Sequence, residues 1–236
     1  QYDLVICTDC ATTNYDEVKT LQNAGIDVII VDHHAEPEQI PPAYALLNPM
    51  LKRERYPFRG LAATGVAFKL VQAIIRSLDH KLPQGYEKWL LDFVAIATVT
   101  DLAPLQGENR LLVKYGMIVL NKTRWPGLKE LVKVAGSDLG SLNEWSIAFQ
   151  IGPRVNAAGR VDHASAAYEL LKSQTEEEAV RWAVQLNQSN VIRQDLADQI
   201  FKQANVQVEG QVREGRMVLL ASGDWPVGIV GLIASR

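Results

Sequence analysis

The stretch Leu4–His34, LVICTDCATTNYDEVKTLQNAGIDVIIVDHH, decides the fold. Leu4–Thr8 is an apolar, β-branched run that stops at Asp9. Tyr15–Ala24 has helical spacing and ends at Gly25. Asp27–Val31 is a second β-rich run, closing on Asp32-His33-His34. Strand, helix and strand with short connections predict a right-handed βαβ unit in a parallel sheet. Open parallel sheets bind ligands beyond the carboxyl ends of their strands. Asp9 and the Asp-His-His triplet both fall at such ends.

Outward from this unit the pattern stays α/β. A proline-rich loop, Pro37–Pro42, leads to a strand over Tyr44–Asn48. Helices are expected over Thr64–Leu78, Glu87–Thr100, Leu111–Leu120, Leu128–Ala135, Asp162–Leu171 and Thr175–Leu186. Thr175 with Glu178 reads as a capping box. Gly152–Arg160 reads as a polar, glycine-bracketed loop. Asn190 to about Ala204 is polar with sparse apolar positions and continues the preceding helix; so polar a helix usually bridges two domains. Arg216–Ala221 reads as a strand, and the glycine-punctuated Gly223–Arg236 as the opening of a second α/β domain. The opening residues already read as a core strand and the last ones as the start of an element. That predicts a chain cut at both ends.

Composition narrows the class. Of 236 residues 47% are hydrophobic and 22% charged, with a net charge of −3. That suits an ordinary soluble α/β protein and excludes a uniformly basic duplex binder, while leaving room for a locally basic cleft. No apolar run approaches the about 20 residues needed to cross a membrane. The two cysteines, Cys7 and Cys10, lack the second pair a structural zinc site needs. They read as small buried side chains, and so few cysteines fit a reducing cytoplasm.

Three groups of residues carry chemistry. Asp9, Asp32, His33, His34 and Asp101 offer carboxylates and imidazoles that suit Mn²⁺ or Mg²⁺ better than zinc. Asp101 follows an apolar, buried helix, an odd place for a carboxylate without a partner. The plainer alternative is that Asp32 and Asp101 cap turns and the histidines are a solvated pair. Arg154, Asn156 and Arg160 lie among small residues, where guanidinium forks can grip phosphate; ordinary solvated arginines are the alternative. The glycines after Trp225 could present backbone N–H groups to an anion, or serve packing alone.

Together these segments resemble the DHH phosphoesterase family, and its RecJ branch in particular. ICTDC at Ile6–Cys10, VDHH at Val31–His34, Tyr56-Pro-Phe58 with LAATGVAFKL at Leu61–Leu70, ATVTDLAPL at Ala97–Leu105, GPRVNAAGRVDHASAA at Gly152–Ala167 and the closing GIVGLIASR carry the likeness. The resemblance implies a DHH catalytic domain over residues 1–174, a bridging helix over 175–209 and the start of a DHHA1-like nucleic-acid-binding domain over 210–236. It implies metal ligation by Asp9, His33 and Asp101. His34 would face the scissile phosphate, with Asp32 orienting the adjacent imidazole. Arg154, Asn156, Arg160, Ser235 and Arg236 would hold substrate phosphates.

The implied activity is two-metal hydrolysis of single-stranded DNA from its 5′ end, releasing mononucleotides in repair and recombination. A single-strand-binding protein and a RecQ-type helicase are the implied partners. A non-catalytic DNA-binding relative and a phosphodiesterase for oligonucleotides or cyclic dinucleotides are the alternatives. Three departures stand out. The family's Asp-x-Asp strand would precede residue 1, Ala11 replaces a glycine, and Pro226 replaces a histidine.

Overall fold

The computed structural model describes residues 2–79, 82–161 and 164–236. They form a mixed α/β chain with two compact units, 1–123 with 140–148, and 124–139 with 149–236.

The first unit is built on a three-stranded parallel sheet in the order β1 (Leu4–Thr8), β2 (Asp27–Val31), β3 (Ala45–Leu47). Leu4 pairs with Asp27, Thr8 with Val31, and Val31 with Leu47. β2 is central, and its run of β-branched residues is buried at Val28, Ile30 and Val31. An unbroken apolar run is what a strand covered on both faces requires. Helix α1 (Tyr15–Asn23) returns the chain between β1 and β2. It is stopped by Gly25, whose φ of +76° lets the Ile26 amide fold back onto the Leu21 carbonyl.

Helix α2 (Ala63–Ser77) supplies Val66 and Phe68 to a core shared with Val31, Leu61, Val94 and Leu112. The expected long helix over Glu87–Thr100 is in two pieces, a 3₁₀ segment (Tyr86–Leu90) and α3 (Leu91–Thr100). α3 packs against α4 (Gly107–Leu120). Their backbones touch at Gly116, where a Cβ would lie 2.3 Å from the Leu91 carbonyl oxygen. α3 ends on Asp101, and Leu102, at φ +55°, takes the left-handed position just beyond the helix. There the Ala103 amide closes onto the Thr98 carbonyl at 3.1 Å. Asp101 is therefore a half-exposed C-cap at the end of the apolar helix. The short α6 (Glu144–Ser146) completes this unit.

The second unit holds α5 (Pro126–Val134), α7 (Gly152–Val161), α8 (Ser165–Lys172), α9 (Glu176–Arg213) and α10 (Val227–Ala234). Residues 152–160 are helical, not the expected loop. Gly152 and Pro153 stand in the first turn, where proline lacks no needed hydrogen bond, and Ala157 and Ala158 are fully buried. A π-helical turn, Ile147–Ile151, precedes them. The expected helix over Asp162–Leu171 is seen as α8; Asp162 and His163 lie outside the described residues.

α9 runs unbroken for 38 residues. Thr175 Oγ1 accepts the Glu178 amide at 3.2 Å, but the Glu178 carboxylate reaches back to the Gln174 amide, one residue short of a full capping box. The α9 stripe Ala179, Ala183, Leu186, Asn190, Ala197, Ile200 and Ala204 is buried, and Ile200 and Ala204 pack with Ile229 and Ile233 of α10.

The expected strand at Arg216–Ala221 is absent. No described strand lies beside it, and side chains of α9 bind its backbone instead. Gln211 both donates to the Leu220 carbonyl and accepts its amide, at 2.7 and 2.9 Å. Gln207 does the same for Ser222. The cysteines also depart from expectation, with Cys7 half-buried on the outer strand and Cys10 exposed. Among the described residues no helix is long and apolar enough to cross a membrane.

Candidate metal centre

β1 and β2 end side by side, so Asp9 and Asp32 leave the sheet at the same edge. The Asp9 amide donates to the Val31 carbonyl, and the Asp32 amide to that of Leu47. Asp9 has φ +61° and Ala11 φ +77°. Left-handed backbone at residues other than glycine costs roughly 1–2 kcal/mol each and is commonest at functional sites. These two turns bring the Thr12 amide to Asp32 Oδ2 at 3.1 Å.

Asp32 is wholly buried. Its Oδ1 accepts from the His33 amide at 2.7 Å, the His34 amide at 3.3 Å and His34 Nδ1 at 2.7 Å. Burial alone would raise its pKa. Hydrogen bonds from Thr12, His34 and His33 outweigh that and hold it at about 2. The carboxylate is thus charged, and its lone pairs are already occupied. It orients its neighbours and has little left to offer an ion.

His33 faces the other way. Its Nε2 lies 3.2 Å from Asp9 Oδ1 and its Nδ1 3.6 Å from Asp101 Oδ2. His34 stands beside it, with ring centroids 4.8 Å apart. The hydrogen bond to Asp32 is the main cause that raises the His34 pKa. One ligand atom from each of Asp9, Asp32, His33 and His34 falls within 4.8 Å of the others. Asp9, Asp101 and the His34 ring are exposed, and the His33 ring is part-buried between the two carboxylates. Two carboxylates and an imidazole fit a hard or borderline divalent cation. The five residues singled out from the sequence therefore meet at one place.

The arginines belong to the second unit. Arg154 is half-buried on α7, with Nε donating to Asn187 Oδ1 at 2.9 Å and a terminal nitrogen to the Gln150 carbonyl at 2.7 Å. Burial lowers its pKa. Asn156 is exposed. Arg160 donates to the Gly228 carbonyl at 2.8 Å. Ser235 bonds the Leu232 carbonyl as α10 ends, and Arg236 pairs with Asp198 at 2.7 Å. Asn187 and Asn190 of α9, which hold Arg154 and Arg193, were not singled out from the sequence; Asn190 is 2% exposed.

Residues 2–98 match the family model described as "DHH family, N-terminal domain". The chain belongs to the DHH family. Within it, the chain is similar along its whole length to proteins named single-stranded-DNA-specific exonuclease RecJ. It is 37% identical to that of Bacillus subtilis over 235 residues, covering 100% of this chain and 29% of the relative. It is 34% identical to that of Escherichia coli, covering 99% of this chain and 42% of the relative. The crystal structure of RecJ in complex with Mn²⁺ from Thermus thermophilus matches with a TM-score of 0.85 at 31% identity, over 99% of this chain and 34% of that one. The chain thus spans well under half the length of the curated relatives it matches.

Proposed function

We propose that this chain is part of a single-strand-specific DNA exonuclease of the RecJ kind, acting from the 5′ end and releasing mononucleotides. The observation that carries the reading is His33 set between the carboxylates of Asp9 and Asp101 at the carboxyl edge of a parallel sheet. In this reading Asp9, His33 and Asp101 hold Mn²⁺ or Mg²⁺. The manganese in the similar Thermus thermophilus structure supports that choice. A bound divalent ion would lower the pKa of a water and stabilise charge on a phosphoryl group.

Asp32 holds the His34 ring through Nδ1, so Nε2 is left to point at the scissile phosphate. Arg154, Asn156, Arg160, Ser235 and Arg236 hold phosphates of the strand. Residues 1–174 form the catalytic domain, 175–209 the bridging helix, and 210–236 the opening of a nucleic-acid-binding domain. Two free cysteines agree with a cytoplasmic setting in DNA repair and recombination. A single-strand-binding protein and a RecQ-type helicase are its partners in that setting.

The test is degradation of 5′-labelled single strands and blunt duplex by the full-length protein with Mn²⁺. Mononucleotides from the single strand and a spared duplex are expected, and His33→Ala should abolish turnover with the circular dichroism unchanged. Equal rates on both substrates, or an active His33→Ala protein, would overturn the reading.

A further inference from the structure

Asn48 stands directly after β3, at the sheet edge where Asp9 follows β1 and Asp32 follows β2. It is a polar residue with 2% exposure. Its Oδ1 accepts the Met50 amide at 2.8 Å, closing a turn over Pro49. Its Nδ2 donates to the His34 carbonyl at 2.9 Å and to Thr12 Oγ1 at 3.2 Å. The Met50 amide can only donate and the His34 carbonyl can only accept, so the amide has one workable orientation. All of its polar atoms are matched in a place closed to water.

These bonds stitch the ends of the three strands together. Thr12 follows β1, His34 follows β2 and Asn48 follows β3. Thr12 is 1% exposed, and its amide holds Asp32 Oδ2 at 3.1 Å. Beyond Val31 the chain leaves the sheet, and among the described residues no backbone–backbone hydrogen bond reaches His33 or His34. His34 is therefore held at two points. Asp32 takes its Nδ1, which sets how the ring is turned, and Asn48 takes its carbonyl, which sets where the ring starts from. The bonds of Asn48 go to Met50, His34 and Thr12, and to none of Asp9, His33 and Asp101.

We propose that Asn48 is a positioning residue for His34, fixing the backbone from which the imidazole reaches the scissile phosphate. This rests on the nuclease reading above, which gives that role to His34 and assigns nothing to Asn48.

The test is steady-state degradation of a single-stranded oligonucleotide by the full-length protein in saturating Mn²⁺. Rates are counted per Mn²⁺-binding site, titrated on the same preparation, so an unfolded fraction does not enter. Asn48→Asp keeps the shape and the Met50 bond but sets an acceptor against the His34 carbonyl. Its kcat should fall about ten- to a hundredfold, the loss that a small misplacement of an active group brings. KM and Mn²⁺ affinity should stay near those of the parent, because Asn48 bonds none of the residues assigned to phosphate or metal. Asn48→Ala, smaller and uncharged, should show the same split if the aspartate variant does not fold.

Parent-like kcat per site in both variants would overturn the proposal, and with a lowered melting temperature would mark a merely structural asparagine. Mn²⁺ affinity falling in step with kcat would also overturn it, since Asn48 would then shape the metal pocket and not His34. So would a Thr12→Val protein slowed as much as Asn48→Ala, because that variant leaves the bond to the His34 carbonyl in place. If the unaltered protein leaves the single strand uncut, the nuclease reading itself fails.

Discussion

Asp32 Oδ1 lies 2.7 Å from His34 Nδ1 while the Asp32 side chain is sealed from solvent. The relationship fixes which imidazole nitrogen is left over for chemistry. It also makes Asp32 a buried charge whose stability depends on its donors. A buried carboxylate deprived of such donors would be neutral.

That dependence predicts an acid limb in the stability of the metal-free protein. The Asp32 pKa is lowered from an ordinary 3.8 to about 2. Its stabilisation is therefore complete above about pH 4 and is lost as pH falls toward about 2. The shift corresponds to about 2 kcal/mol. Asp32→Asn should lose that limb. It should also be destabilised near neutrality by about 1–3 kcal/mol, because one of the two accepting oxygens becomes an NH2 group that cannot accept, leaving either the Thr12 amide or the donors of the His33–His34 turn unmatched. Urea denaturation from pH 2 to 7 in chelator checks both. An identical acid limb in the variant would remove Asp32 as its source.

Much of this centre could be read from the sequence, and the reason is topological. Strand ends in a parallel sheet gather whatever polar residues follow the apolar runs. Asp9 and Asp32 were therefore placed by hydrophobic pattern alone. Asp101 was picked out because a carboxylate just after an apolar helix needs a partner; it sits exposed at the C-cap with His33 3.6 Å away. Residues 152–160 were misread because glycine and proline punctuate a loop and a first helical turn alike. Arg216–Ala221 has strand composition, but a strand is a property of two segments, and the Gln207 and Gln211 amides took the backbone bonds instead. The arginine holders Asn187 and Asn190 were invisible because a polar residue on a long polar helix carries no sign of what it faces.

A second titration lies away from the metal centre. The Tyr56 hydroxyl donates to Glu108 Oε2 at 2.7 Å, and Lys69 pairs with the same carboxylate. Burial, then the Glu108 hydrogen bond and charge, push the Tyr56 pKa up from 10.0 to about 12. A raised phenol pKa gives stability that is whole below pH 10 and is lost as pH rises toward about 12. One of seven tyrosines should thus ionise late in absorbance at 295 nm, and Tyr56→Phe should remove that phase. The same variant should cost about 1 kcal/mol at neutral pH, the ordinary worth of one such hydrogen bond. A late phase that survives in Tyr56→Phe would belong to another residue.

The last prediction concerns Ala11, which stands where the family resemblance expects a glycine. Its φ of +77° is the left-handed backbone that glycine adopts freely. The alanine is held in that backbone here. Its methyl is buried at 8% exposure, against Val18, Val28 and Ile30. Two terms of similar size therefore oppose each other in Ala11→Gly. Relief of the left-handed strain returns about 1 kcal/mol, and loss of a buried methyl removes about 0.8 kcal/mol. Stability should move by less than about 1 kcal/mol. Ala11→Val has no such offset, because a β-branched residue is a far worse left-handed residue and the pocket is already filled. It should cost at least about 2 kcal/mol. Ala11 also precedes Thr12, whose amide holds Asp32, so the valine should weaken Mn²⁺ binding as well. Urea melts and Mn²⁺ titration of the two variants separate these effects. A valine variant as stable as the parent would mean that the turn is not held at positive φ.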